Sequence, residues 1–174
     1  MKEGLVLLII SSIFFIFSCA HTSENKKSEN SPKLDVETSP EVKDADQKCT
    51  AGDMESCYML GFFYKEGRGV KQDFQKTLEI YTKTCDSGYL YACVGLATLY
   101  SGLYEIPKNE SKEFSLYEKV CNAGGVKGGC FSLAGMYEEG RFVEKNIEKA
   151  KELYKKDCDG GWSMSCDALK NLEQ

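Results

Sequence analysis

Cys57-Tyr58-Met59-Leu60-Gly61-Phe62-Phe63-Tyr64 returns in register as Cys93-Val94-Gly95-Leu96-Ala97-Thr98-Leu99-Tyr100 and again as Cys130-Phe131-Ser132-Leu133-Ala134-Gly135-Met136-Tyr137. A leucine follows the cysteine by three positions, a small residue by four and a tyrosine by seven. Those offsets put leucine and tyrosine on one face of a helix, with a small residue beside them where a neighbouring backbone can come close. Working outward, a second cysteine precedes each segment, giving Cys49, Cys85 and Cys121, and a fourth pair, Cys158 and Cys166, closes the series before Leu169. The leading cysteines recur at 36, 36 and 37 residues and the trailing ones at 36, 37 and 36. One residue inserted in Asn122-Ala123-Gly124-Gly125-Val126-Lys127-Gly128-Gly129 accounts for both irregular steps.

A second helix is expected in each unit. It opens after Asp73, Asn109 or Asn146, residues whose side chains cap helix N-termini, and it carries Leu78-x-Ile80-Tyr81, Phe114-x-Leu116-Tyr117 or Lys151-x-Leu153-Tyr154. It ends beside Gly88, Gly124 or Gly160-Gly161, as helix C-termini commonly do. The fold class that follows is all-α, a solenoid of antiparallel helical hairpins with about three and a half repeats. The units span about 52–87, 88–124 and 125–160, with a capping helix at 161–174.

Leu60-Gly61 and Tyr64, then Glu66-Gly67-x-Gly69-Val70, Asp73 and Tyr81 resemble the Sel-1-like repeat, a tetratricopeptide-like family. With cysteines eight apart across the junctions, the array is similar to the cysteine-rich secreted bacterial branch of that family. The resemblance covers Gln47 to Gln174. It departs in the second unit, whose loop reads Leu103-Tyr104-Glu105-Ile106-Pro107.

The eight array cysteines admit several uses. Disulfides between neighbours, Cys49 with Cys57, Cys85 with Cys93, Cys121 with Cys130 and Cys158 with Cys166, serve every junction alike. They also suit an exported chain with evenly spaced cysteines. Structural zinc favours two to four residues between paired ligands. Here the gap is seven or eight, and the one histidine, His21, lies outside the array. No Cys-x-x-Cys redox motif stands in the chain, and no cofactor or metal is expected.

The N-terminus reads as an address. Lys2 precedes an apolar run from Gly4 to Phe17, too short to span a bilayer and of the length of a signal-peptide core. Residues 1–18 are then a lipoprotein-type signal peptide and Cys19 the lipid attachment site, although Ser18-Cys19-Ala20 also suits ordinary cleavage before His21. Residues 19–46, rich in Ser, Glu, Asn and Lys, are expected to form a disordered tether, followed by the array at 47–174. The protein is expected to be exported and membrane-anchored, in the periplasm or on the outer membrane, or alternatively secreted.

A net charge of −5 and a pI near 5.1 argue against nucleic-acid binding, which needs a basic face. A protein or peptide ligand on the concave face of the first helices is the leading expectation, with a monomer as the acting species. Residues one, five and eight past the trailing cysteines would line that groove, together with two that precede them: Glu55, Tyr58, Phe62, Lys65, Tyr91, Val94, Thr98, Ser101, Phe131, Gly135 and Glu138. The same aromatics could instead complete the core between helices. Glu138 and Glu139 also read as a solvated helix end. An envelope interaction scaffold is the resulting function, and the resemblance implies a β-lactamase or penicillin-binding hydrolase as the alternative. Residue signals for that chemistry are thin. Serine β-lactamases use Ser-x-x-Lys and Lys-Thr-Gly. Ser23-Glu24-Asn25-Lys26 lies in the tether, and Lys83-Thr84 runs into Cys85. No catalytic residue is assigned.

Overall fold

In a computed structural model the described residues are 38–174. They form eight helices: α1 (Pro40–Thr50), α2 (Met54–Glu66), α3 (Phe74–Asp86), α4 (Leu90–Tyr100), α5 (Glu110–Ala123), α6 (Gly129–Glu139), α7 (Ile147–Asp159) and α8 (Ser163–Leu172). Each helix packs chiefly on its neighbours in sequence, so the array is built from successive pairs. Asp73, Asn109 and Asn146 each accept a hydrogen bond from the backbone N–H three residues on, capping α3, α5 and α7. Residues 1–37, which include the segment read as a signal peptide, the expected lipid site Cys19 and most of the expected tether, lie outside the described residues.

Helix α1 corrects the tether. Residues 40–46, assigned above to a disordered segment, form helix, so the ordered array begins near Ser39 rather than at Gln47. Ser39 caps the helix by accepting from Val42 N–H at 3.4 Å, and Pro40 sits in the first turn, where its missing N–H costs nothing. Val42 and Ala45 are buried against α2, with Leu60, Phe63 and Val70 around them. Only two small apolar residues face inward, which is why the composition of this stretch reads as linker. By its register α1 takes the place of a second helix, its Cys49 aligning with Cys85 of α3 and Cys121 of α5.

Leu60, Leu96 and Leu133 are buried, as are the small residues after them, Gly61, Ala97 and Ala134. The side chains received there come from the second helices. Tyr81, Tyr117 and Tyr154 occupy one repeat position and are at most 6% exposed. Tyr81 is the tightest, wedged between Gly61 and Gly95. A Cβ at Gly61 would lie 2.7 Å from Tyr81 Cδ1, and one at Gly95 would lie 2.6 Å from Cε2. Alanine is normally worth about 1 kcal/mol more than glycine inside a helix. Overpacking a filled core costs about 1–3 kcal/mol, and here the crowded ring has no free side to move toward. Gly61→Ala is therefore expected to lower stability by about 1–2 kcal/mol despite its better helix propensity, measured by urea unfolding. A neutral or stabilising result would show that Tyr81 has room to turn.

The loops of the first two hairpins bury an apolar side chain at one repeat position, Val70 or Ile106, where the third loop has a half-buried Val143. Ile106 is 3% exposed, so the irregular second loop keeps this anchor. Where the outer loops place Arg68 and Arg141, the second places Tyr104, which packs on Phe74 at 5.2 Å between ring centroids. Arg141 reaches back to the preceding hairpin, its Nη1 donating to both carboxylate oxygens of Glu113 at 3.2 Å. Arg68 makes the corresponding contact to Glu41 at 3.4 Å.

Four bridges cross the junctions between hairpins. Sulfur–sulfur distances are 2.06 Å for Cys49–Cys57, 2.07 Å for Cys85–Cys93, 2.05 Å for Cys121–Cys130 and 1.97 Å for Cys158–Cys166. Two lysines reinforce the inner junctions. Lys119 Nζ donates to the carbonyl of Cys85 at 3.2 Å, and Lys156 Nζ to that of Cys121 at 2.8 Å, placing a cation at the negative end of the preceding second helix. Lys83, at the same repeat position, turns to Glu79 instead. At the far end α8 carries Lys170 where the other first helices have glycine or alanine, and Glu173 follows where they have tyrosine.

Candidate functional site

The expected groove residues fall on α2, α4 and α6, the first helices of the three hairpins. Tyr58, Val94 and Phe131 share one repeat position, and all three are half-buried. Tyr58 and Val94 pack on the core cluster around Tyr81, while Val94 and Phe131 pack on the next one around Tyr154. They therefore form a continuous row from hairpin to hairpin. Each aromatic of the row rests on a buried tyrosine: Tyr58 stacks on Tyr81 at 5.4 Å with 17° between planes, and Phe131 meets Tyr154 at 5.4 Å. The inner side of the row completes the core and its outer side is left to solvent.

The remaining positions differ in what they leave free. Phe62 packs against the first cluster, and Lys65 stands over its ring at 5.3 Å while pairing with Glu66 at 2.9 Å. Thr98 and Ser101 spend their hydroxyls within the chain, donating to the carbonyls of Gly95 and Thr98, each at 2.7 Å. Gly135 is half-buried, with the Tyr154 hydroxyl 3.8 Å from where a Cβ would stand. Glu138 is not the solvated helix end anticipated for it. It is half-buried and accepts a hydrogen bond from Tyr154 Oη at 2.8 Å. Burial, and then that hydrogen bond, push the Tyr154 phenol well above its ordinary pKa, so it remains a donor. Glu139 does face solvent, paired with Arg141 Nε at 2.8 Å.

Glu55 and Tyr91 are the exposed members. Tyr91 is 49% exposed, and Glu55 makes no ion pair among the described residues. Beside them stands Tyr89, which the groove positions above left out. Its ring lies 5.8 Å from Tyr58 and 5.8 Å from Tyr91. The tyrosines flanking Leu90, just past Gly88, were the available signal. The helical register hid it, because Tyr89 precedes α4 and belongs to no helix face.

The residues of the Lys83-Thr84 segment weighed for β-lactam chemistry are engaged within the array. Thr84 is 2% exposed and donates to the carbonyl of Ile80 at 2.8 Å, and Lys83 is committed to Glu79. Ser23 and Lys26 lie outside the described residues. No cluster of three or more potential metal ligands occurs among the described residues, and no described helix is long and apolar enough to cross a membrane.

A model of the family described as Sel1 repeat matches residues 55–89, 90–125 and 128–161. No curated protein matches the chain significantly. Among solved structures, a Sel1 repeat protein from Oxalobacter formigenes is similar at TM-score 0.66 and 26% identity, over 75% of this chain and 97% of that one. A protective antigen present in uropathogenic Escherichia coli strains, displaying an SLR fold, is similar at TM-score 0.67 and 26% identity, over 74% of this chain and 27% of that one. Helicobacter pylori cysteine rich protein B shares the fold at TM-score 0.58 and 24% identity, over 74% of this chain and 96% of its own.

Proposed function

The chain belongs to the Sel1 repeat family, and from that membership we propose that it is an envelope-anchored scaffold that binds a protein partner along the first-helix face of its array. Sel1 repeat proteins are in general non-enzymatic scaffolds whose fold mediates protein–protein binding. The observation that carries the reading is the row Tyr58–Val94–Phe131, continuous across three hairpins with one side open to solvent. Apolar side chains presented in series on a rigid frame suit an extended or helical segment, which gains contact area without reorganising the frame.

Anchoring through Cys19 is part of the same proposal. Its support is the apolar core Gly4 to Phe17 ending at Ser18-Cys19, together with four bridges that call for an oxidising compartment. Lipidation would keep the binding face at the membrane, where its partner is met.

A photo-crosslinking residue at position 94, on the row, is expected to trap a discrete partner in the native envelope. The same residue at position 155, on the exposed side of α7, should trap none. Cys19→Ser should move the protein out of the membrane fraction and reduce the position-94 product. Equal crosslinking from both positions would remove the face from consideration, and an unchanged membrane distribution of Cys19→Ser would remove the anchor.

A further inference from the structure

Three tyrosine rings meet beside the junction of α3 and α4, and two carboxylates stand next to them. Tyr58, Tyr89 and Tyr91 lie with centroids 5.8–6.4 Å apart and planes tilted by 44–49°, so an outer ring face remains available. Asp53 and Glu55 occupy, one unit earlier, the repeat positions that Tyr89 and Tyr91 occupy here. The acid pair at the start of α2 and the tyrosine pair at the start of α4 are therefore neighbours along the array. The carboxylates sense the rings: burial first, then the charge of Glu55, raises the Tyr89 phenol pKa.

The scaffold does not need this arrangement. The next junction has Val126 and Gly128 at the two tyrosine positions, yet it closes its bridge and packs α6. Nor does either acid have an ion-pair partner among the described residues. Asp53 accepts from Ser56 Oγ and from Glu55 N–H, which hold its carboxyl below the usual range with a smaller contribution from the charge of Lys48, while Lys48 itself pairs with Asp44 at 2.7 Å.

We propose that this junction is a docking point for a basic protein segment, with an arginine side chain laid on the Tyr89–Tyr91 surface and paired with Glu55. A guanidinium is planar, weakly hydrated and favoured over aromatic faces, and it can pair with a carboxylate at its edge. Tyrosines without the acids would suit many apolar or sugar ligands, and acids without the tyrosines would bind cations with little selectivity. Together they select a cation that can stack. This rests on the interaction face proposed above and names the chemistry of its partner.

The test titrates the oxidised full chain with a glycine-flanked peptide bearing two arginines, against the same peptide with citrulline, which keeps the shape and loses the charge. Ring resonances of Tyr58, Tyr89 and Tyr91 are expected to move with the arginine peptide alone. Tyr91→Leu and Glu55→Gln should each weaken binding about threefold to tenfold, whereas Tyr91→Phe should retain it. Both altered side chains are exposed, so the fold is expected to survive the changes. Equal binding of the citrulline peptide, or binding of chitotetraose to the same rings without the arginine peptide, overturns the proposal. If position 94 still traps its partner in the Glu55→Gln, Tyr91→Leu chain, the interaction face stands and the arginine site falls. Absence of any trapped product in the unsubstituted chain instead removes the face itself.

Discussion

Excess dithiothreitol at neutral pH is expected to unfold the array, with most of its helical circular dichroism lost at 25 °C. Each bridge closes a loop of eight or nine residues, which on chain-entropy grounds contributes about 2.5 kcal/mol. Four such contributions come to about 10 kcal/mol, against a total stability of about 5–15 kcal/mol for an ordinary domain. The loss should proceed in order. Cys85, Cys93, Cys121 and Cys130 are no more than 4% exposed, while Cys158 and Cys166 are half-buried at the end of the array. Limited reduction followed by alkylation and peptide mapping should therefore label Cys158 and Cys166 before the two inner bridges. A fully reduced chain that kept its helices would show that packing alone sustains them.

Arg141→Ala should be the most damaging single substitution on the array surface, costing about 3 kcal/mol and lowering Tm by roughly 10 °C. The reason lies in its partner. Glu113 is 2% exposed, and removing the guanidinium leaves a carboxylate buried without a counter-ion. Thr77 and Ala150 occupy the repeat position of Glu113 in the neighbouring hairpins, so a small side chain fits there. Adding Glu113→Ala to Arg141→Ala is accordingly expected to restore most of the loss. Arg68→Ala breaks the register-equivalent pair with Glu41, but both side chains there are about two-thirds exposed, and the cost should stay below about 1 kcal/mol. Thermal melts of these variants decide the matter. Similar losses at both arginines would mean that burial of the acid is not what sets the cost.

Much of the fold was legible because the repeat supplies its own internal comparison. Leucine, small residue and tyrosine at fixed offsets from a cysteine define a helix face, and Asp73, Asn109 and Asn146 mark helix starts by a local hydrogen bond that needs no tertiary context. Helix α1 was hidden because its inward face is only Val42 and Ala45, too little apolar surface to register among charged neighbours. The site was legible in its row and illegible in its free groups. Register places Tyr58, Val94 and Phe131, but the engagement of Glu138 by Tyr154 and of Lys65 by Glu66 depends on side-chain reach. Tyr89 escaped because it precedes its helix, and what makes it count is proximity to two rings from different elements.

The charged residues at the end of α8 bear on how such a chain can change length over evolutionary time. Lys170 and Glu173 stand where every earlier hairpin offers a seat to its own second helix. A second helix packed on this face of α8 would have to set an aliphatic core against an ammonium and a carboxylate, a desolvation cost with no partner to offset it. A copy inserted between hairpins meets glycine or alanine on one side and a tyrosine on the other, and fits at once. New units are therefore accommodated more readily between hairpins than against the face of α8 that carries Lys170.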